Sequence, residues 1–169
     1  YDAVVLDAPP TGRIAHFLNV HAAVAGLAKV GPIRNQADSI MRLLRSATTV
    51  VHLVTLLEDM PVTETEEAAT ALRPTQIRIG TVIENMVTPT PLDDRQLQAA
   101  ATGSISLKVP GLTIKQNQAL ASEFGLEAAR TLQEQQRHDR LTALGLPLVQ
   151  IAFDHGGIDK GLFWHLSAS

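Results

Sequence analysis

The first candidates for chemistry in this 169-residue sequence are one acidic residue and the turn behind it. Asp7 ends the apolar run 3–6 and precedes the turn Pro9–Gly12. A carboxylate at the carboxyl end of a buried strand can hold Mg²⁺ through the water shell that this ion retains. A glycine-containing turn can bring backbone N–H groups close to a phosphate. The alternative is that Asp7 only accepts hydrogen bonds from loop N–H groups ahead of a helix.

The hydrophobic pattern predicts the elements that would position these residues. Apolar, β-prone runs predict strands at 3–6, 48–57, 76–84 and 146–153. Amphipathic stretches predict helices at 14–29, 34–46, 63–72, 92–101, 116–143 and 158–167. This alternation predicts an α/β fold with a mostly parallel sheet covered by helices on both faces. Ligands of such sheets bind beyond the carboxyl ends of the strands.

Some segments depart from the alternation of strands and helices or carry clustered charge. Residues 21–46 are predicted to be a helical insertion, and residues 86–118 a variable loop and helix excursion, which in α/β proteins often form lids or partner surfaces. Thr63 followed by Glu66 predicts a capping box at a helix start. The charged string QEQQRHDR at 133–140 predicts a solvated helix face.

Composition excludes several classes of function. The net charge of −3 and an aromatic content of 4% argue against a nucleic-acid partner. The chain has no cysteine, so these residues form no disulfide and no zinc–thiolate site. No apolar run reaches the length of a membrane span, and the predicted location is cytoplasmic. The spacing of His16 and His21 does not place them on one helix face, and solvated or capping roles are favoured for the histidines over metal binding.

The string VVLDAPPTGRIAHFL resembles the second switch segment of the arsenical-pump and guided-entry ATPases, in which an apolar strand is followed by D-T-A-P-T-G-H and a helix. The residues that match this motif in order and spacing are Asp7, Pro10, Thr11 and Gly12. Ala8-Pro9 stands where Thr-Ala is usual, and Arg13 where His is usual. Further strings similar to the family follow in order at 50–72, 78–87 and 145–166, so the resemblance covers nearly the whole chain.

The resemblance implies a P-loop NTPase of the deviant Walker A class and a role for each matched residue. Asp7 would orient a water of Mg²⁺, and Thr11-Gly12 would sense the γ-phosphate. Asn85 would hydrogen-bond the adenine edge, since its amide offers a donor and an acceptor. Phe153 and Asp154 would belong to the wall around the base. The implied cofactors are ATP and Mg²⁺, with ATP and ADP as ligands.

No Gly-Lys dipeptide occurs in the sequence, although a Walker loop requires one. The chain is therefore expected to be the C-terminal portion of one ATPase domain, inactive alone, with the P-loop and first switch elsewhere and no catalytic residue or direct metal ligand in these residues. The implied assembly is a homodimer or a heterodimer with a paralogue, acting on a possible membrane-protein client. Without cysteine, arsenite binding and a zinc-clamped dimer gain no support.

Two other interpretations remain open. One is a non-catalytic scaffold or regulatory paralogue, in which Arg13 and Ala8-Pro9 mark a degenerate switch. The other is a partition or site-selection ATPase of the same superclass. Such proteins share the deviant P-loop but lack a Pro-Thr-Gly switch followed by this helical insertion.

Overall fold

The computed structural model describes residues 1–8, Arg13 and 32–154. In chain order its elements are α1 Pro32–Leu44, β1 Val51–Leu56, α2 Asp59–Leu72, a 3₁₀ turn Arg73–Thr75, β2 Ile79–Val87, α3 Asp94–Ala101, α4 Ile114–Thr142 and β3 Leu148–Ala152. The strands predicted at 48–57, 76–84 and 146–153 are confirmed, with shifted ends. The helices predicted at 14–29 and 158–167 lie outside the described residues.

The three described strands form one parallel sheet in the order β1-β2-β3, so β2 is central. The connection from β1 to β2 contains α2, and the connection from β2 to β3 contains α3 and α4. Parallel neighbours require such crossovers, since a tight turn cannot return the chain to the same end of the sheet. The predicted α/β class, with a parallel sheet flanked by helices, is confirmed.

The core lies between one face of the sheet and the helices α2 and α4. Leu53, Val82 and Leu148 are aligned across the three strands and belong to the same apolar core. Leu72 at the end of α2 and Leu141 near the end of α4 are fully buried against them. Burial of such side chains supplies most of the stabilisation of the fold, at about 25 cal/mol for each Å² removed from water.

The opposite face of the sheet is more open. Val54, Ile83 and Val149 are aligned on it, with Val54 54% exposed and Val149 50% exposed. Successive right-handed crossovers that advance in one direction place their helices on the same face, which is the face of α2 and α4. Helical cover of this second face stays a prediction, because the helices predicted at 14–29 and 158–167 lie outside the described residues.

The strand predicted at 3–6 is wrong for the described structure. Residues 1–8 form no helix or strand, and the side chains of Val4 and Val5 are exposed. A strand exists only where its N–H and C=O groups pair with a neighbouring strand. An apolar run by itself does not supply that neighbour, and in the described residues the sheet consists of β1, β2 and β3.

Capping residues set the start of two helices but not of a third. Asp93 caps α3 and Thr113 caps α4, each in a capping box with the glutamine three residues later. The capping box predicted at Thr63 and Glu66 is wrong, because α2 begins at Asp59 and contains both residues. Among the described residues, no helix is long and apolar enough to cross a bilayer.

Candidate functional site at the carboxyl ends of the strands

The carboxyl ends of the three strands border a cavity of about 620 Å³. Leu57 and Glu58 line it just beyond β1, Asn85 and Met86 line it at the end of β2, and Phe153 lines it directly after β3. The opposite wall is one face of α4, formed by Glu127, Arg130, Gln133, Glu134 and Arg137. A cavity at this edge of a parallel sheet is where such folds bind small ligands.

A bulge in β2 shapes the cavity. Met86 has φ of 58°, in the left-handed region that non-glycine residues rarely adopt, and the pairing with β3 shifts register between Glu84 and Val87. Such a conformation costs about 1–3 kcal/mol and persists where surrounding contacts hold it. Beyond the bulge, the carbonyl oxygen of Val87 accepts a 2.8 Å hydrogen bond from the N–H of Phe153. The bulged strand thereby holds Phe153 beside Asn85.

Beyond the bulge, a buried carboxylate of α4 holds the chain. The backbone N–H of Thr88 donates to Glu134 Oε2 at 3.2 Å, and its hydroxyl donates to Oε1 at 3.0 Å. Glu134 is 6% exposed, and its charge is balanced by Arg130, whose Nε lies 3.3 Å from Oε1. A buried carboxylate with several donors is well satisfied, so this contact is a defined part of the structure.

Ahead of the bulge, a second polar cluster joins the same helix to the same strand. Glu84 is fully buried on the core face of β2. It accepts a 2.8 Å hydrogen bond from Nε2 of Gln150 in β3, and its carboxylate lies 2.9 Å from Nδ1 of His138 in α4. The bulge is therefore bracketed by contacts to α4 on both sides, four residues apart on the helix and four apart on the strand.

Two arginines fix α4 to the end of β1 and to α2. Arg137 donates two hydrogen bonds of 2.9 Å to Asp59 and one of 3.3 Å to the carbonyl oxygen of Leu57. These hydrogen bonds lower the pKa of Asp59 and raise the pKa of Arg137. Arg140 donates to Glu66 at 2.6 and 3.1 Å, which raises the pKa of Arg140.

The prediction that 133–140 is a solvated face is therefore wrong. Glu134, Arg137, His138 and Arg140 all contact other elements rather than only solvent. The physical reason is that the helical face that carries the core side chains Thr131 and Leu141 also passes through Glu134 and His138. The spacing of three, four and three residues from 131 to 141 indicates a single helical face. Sequence reasoning assigned the segment to solvent because so many of its residues are charged.

The structure brings together two of the residues predicted to bind nucleotide. Asn85 and Phe153 line the same cavity, and Asp154 follows Phe153 as an exposed residue. Asp7 is exposed in the segment 1–8 and is not one of the cavity-lining residues. Pro10, Thr11 and Gly12 lie outside the described residues, and Arg13 is exposed. Sequence reasoning missed the wall formed by α4 and the contact between Thr88 and Glu134.

The cavity has the size of a small-molecule site and is lined by polar and apolar side chains. Its volume falls in the range of about 300–1,000 Å³ that small-molecule sites occupy. The Asn85 amide can donate and accept at a base edge, while Phe153 supplies an aromatic surface. Within 1–8, Arg13 and 32–154, no three His, Asp or Glu side chains are grouped to hold a metal ion. His16, His21 and His155 lie outside the described residues.

Comparison with known proteins identifies relatives that are named as ATPases. The chain is 40% identical, over 178 aligned residues, to the ATPase BagA of Mycobacterium tuberculosis and to the Mycobacterium bovis protein named "Putative ATPase Mb3704". The similarity covers the whole chain. It covers 52% of each relative, so the chain spans about half the length of the curated relatives it matches. No family model matches the sequence. The names of these relatives specify an ATPase and no partner, transported species or oligomeric state.

Proposed function

We propose that this chain contributes the base-binding edge and the second switch segment of a nucleotide-switched ATPase. The observation that carries the proposal is that Asn85 and Phe153, from the ends of neighbouring strands, line one cavity at the carboxyl edge of a parallel sheet. The names of the 40% identical relatives support the nature of the ligand. The resemblance of the segment around Asp7 to a switch motif supports hydrolysis rather than binding alone.

In this proposal each residue has a separate task. The Asn85 amide hydrogen-bonds the edge of adenine, and Phe153 packs against the base, with Asp154 next to it in the wall. Mg²⁺ supplies charge neutralisation at the phosphates, and Asp7 holds one of its waters. The turn Pro10–Gly12 senses the γ-phosphate. No residue of this chain is assigned to a phosphate-binding loop, since such a loop requires a Gly-Lys dipeptide that these 169 residues do not contain.

The biological setting follows from the resemblance to the arsenical-pump and guided-entry ATPases. The intact protein would act in the cytoplasm as a homodimer or a heterodimer with a paralogue. Hydrolysis would change the association of the subunits and so the capture or release of a partner, with a membrane protein as the client. Such coupling needs two states that bind ATP and ADP differently, because a ligand shifts an equilibrium only by its differential affinity.

The first test measures nucleotide binding and turnover by the intact protein that contains this chain. We expect Asn85→Ala to weaken binding of MgATP about tenfold, since a hydrogen bond from a side-chain amide to a ligand contributes roughly that much. The matched control is Asn35→Ala on α1, where the asparagine is exposed and lies outside the cavity wall. Isothermal titration with MgATP and a phosphate-release assay give the two readouts. An intact wild-type protein that neither binds nor hydrolyses MgATP would contradict the proposal.

A second candidate is a non-catalytic scaffold or regulatory paralogue. Arg13 and Ala8-Pro9 favour it, because they replace residues of the switch pattern that the family uses to respond to the γ-phosphate. The same experiment separates the two candidates. Binding of MgATP without turnover, together with tight association with a second subunit, is the result expected of the scaffold.

A further inference from the structure

We propose that Glu134 of α4 is a positioning residue that fixes the shape of the base pocket by holding Thr88 directly after the β2 bulge. The inference rests on the proposed function, since it assigns a role to a contact at the same cavity. Glu134 does not need to touch the nucleotide for this role. It acts through Thr88 on the two side chains that would contact the base, Asn85 and Phe153.

The bulge in β2 needs a contact from outside the strand to hold it. Met86 has φ of 58°, a strained conformation for a side chain of its size. Thr88, two residues later, directs both its backbone N–H and its hydroxyl at one carboxylate, with distances of 3.2 and 3.0 Å. A carboxylate that receives two donors from one residue fixes the backbone and the side chain of that residue together. Glu134 is thus placed to keep β2 in its bulged path.

The short segment 85–88 positions both Asn85 and Phe153 in the wall of the cavity. Asn85 precedes Met86, and the carbonyl oxygen of Val87 accepts the 2.8 Å hydrogen bond from the N–H of Phe153. Any displacement of Thr88 moves the Val87 carbonyl and therefore the position of Phe153. A change of about 1 Å at such a wall is enough to weaken ligand binding substantially.

Contacts other than the one to Thr88 attach α4 to the fold. Leu141 is fully buried in the main core, and Arg137 is bound to Asp59 by two hydrogen bonds of 2.9 Å. These contacts do not involve Thr88. Loss of the contact between Thr88 and Glu134 should therefore loosen the pocket while the helix stays in place.

The test compares three threonine variants in the intact protein, with ATP and GTP as substrates in steady-state assays. Thr88→Val removes the hydroxyl, Thr88→Ser keeps it, and Thr63→Val is the matched control. Thr63 also bonds an α4 side chain, since Arg140 Nη2 donates to its hydroxyl at 3.0 Å, but it does not line the cavity.

We expect Thr88→Val to raise KM for ATP about five- to tenfold with kcat within about twofold, because the variant loses ground-state and transition-state binding equally. The preference for ATP over GTP should fall, since a misplaced Asn85 discriminates base edges less well. Thr88→Ser should restore the wild-type KM and preference. Thr63→Val should leave both unchanged, although it also removes a hydrogen bond to a side chain of α4.

The inference is overturned if Thr88→Val and Thr63→Val have the same KM and the same nucleotide preference. If Thr88→Val does not fold, Glu134→Gln is measured instead, since it keeps the size of the side chain and one acceptor oxygen. A wild-type KM for that variant also overturns the inference. Absence of MgATP binding and hydrolysis by the wild-type protein overturns the proposed function itself. This failure is distinguished from the others because it is seen in the wild-type protein, before any variant is compared with it.

Discussion

Asp59 and Arg137 form a pair whose effect on stability depends on pH. The two hydrogen bonds from Arg137 lower the pKa of Asp59 below its ordinary value of 3.8 in the folded protein. A carboxyl group with a depressed folded pKa stabilises the fold at pH above its unfolded pKa, and this contribution is lost as the pH falls through the folded pKa. We expect Asp59→Asn to lower the stability of the intact protein at neutral pH and to make stability fall less steeply below about pH 4.

Urea midpoints measured between about pH 2.5 and 7 check this expectation. Asp38→Asn on α1 is the matched control, since Asp38 lies 3.8 Å from Nε of the exposed Arg34, whereas Asp59 accepts two hydrogen bonds of 2.9 Å from Arg137, whose side chain is only 15% exposed. The control should have the same pH profile as the wild type. Parallel profiles for Asp59→Asn and the wild type would show that the pair does not contribute in this way.

At the scale of elements, α3 and α4 approach each other closely at a glycine. A Cβ atom at Gly125 would lie 2.9 Å from the carbonyl oxygen of Ala100. Since that atom belongs to the backbone, an alanine must push the two helices apart, and overpacking of this kind costs about 1–3 kcal/mol. We expect Gly125→Ala to destabilise the protein, although the same change in an isolated helix stabilises it by about 1 kcal/mol.

Thermal unfolding separates the cost of overpacking from the gain in helix propensity when Ser122→Ala is included as the control. Ser122 is exposed on α4 one turn earlier, so its replacement changes helix propensity without a contact to α3. Ser122→Ala should leave the melting temperature unchanged or slightly raised, and Gly125→Ala should lower it. A rise for both variants would mean that the helices are not closely packed at this point.

The strands that could be predicted are those whose signal is local. The apolar runs that became β1, β2 and β3 pair with one another, whereas the run at 3–6 lacks a partner strand among the described residues. β2 extends to Val87, three residues beyond its predicted end, because the bulge at Met86 allows pairing to continue. Propensity does not specify such a bulge, since the contacts that hold it come from elsewhere in the fold.

For the candidate site, too, residues in sequence motifs could be predicted and long-range contacts could not. Asn85 and Phe153 were predicted from motif resemblance as nucleotide-binding residues, and the topology explains why both line one cavity at the edge of the sheet. The contact between Thr88 and Glu134 joins residues 46 positions apart, and no spacing rule relates them. Whether the charges of α4 face solvent or a cavity depends on which helical face the sheet covers, and this is decided only in the folded protein.

At the scale of the whole molecule, the base wall and the switch segment are separate contributions to nucleotide binding. Asn85 and Phe153 line the cavity, whereas Asp7 lies in the exposed segment 1–8. In the proposed function, the base wall recognises any adenine nucleotide, and Asp7 acts only when Mg²⁺ is present. The two contributions can therefore be removed independently, and ligand-linked stability reports each of them.

We expect MgATP to raise the melting temperature of the intact protein more than ADP without Mg²⁺ does. A ligand stabilises the fold according to the ratio of its concentration to its Kd, by about 2.7 kcal/mol at a ratio of one hundred, so at equal concentrations the tighter ligand stabilises more. Asp7→Asn should keep the shift with ADP and lose the additional shift that Mg²⁺ provides, because an amide holds the water shell of Mg²⁺ less strongly than a carboxylate does. Asn85→Ala should lose most of both shifts. The control is Asp2→Asn, an exposed acid in the same segment. If Asp7→Asn responds to Mg²⁺ as Asp2→Asn does, Asp7 does not act on the metal, and the switch assignment fails while the base wall stands.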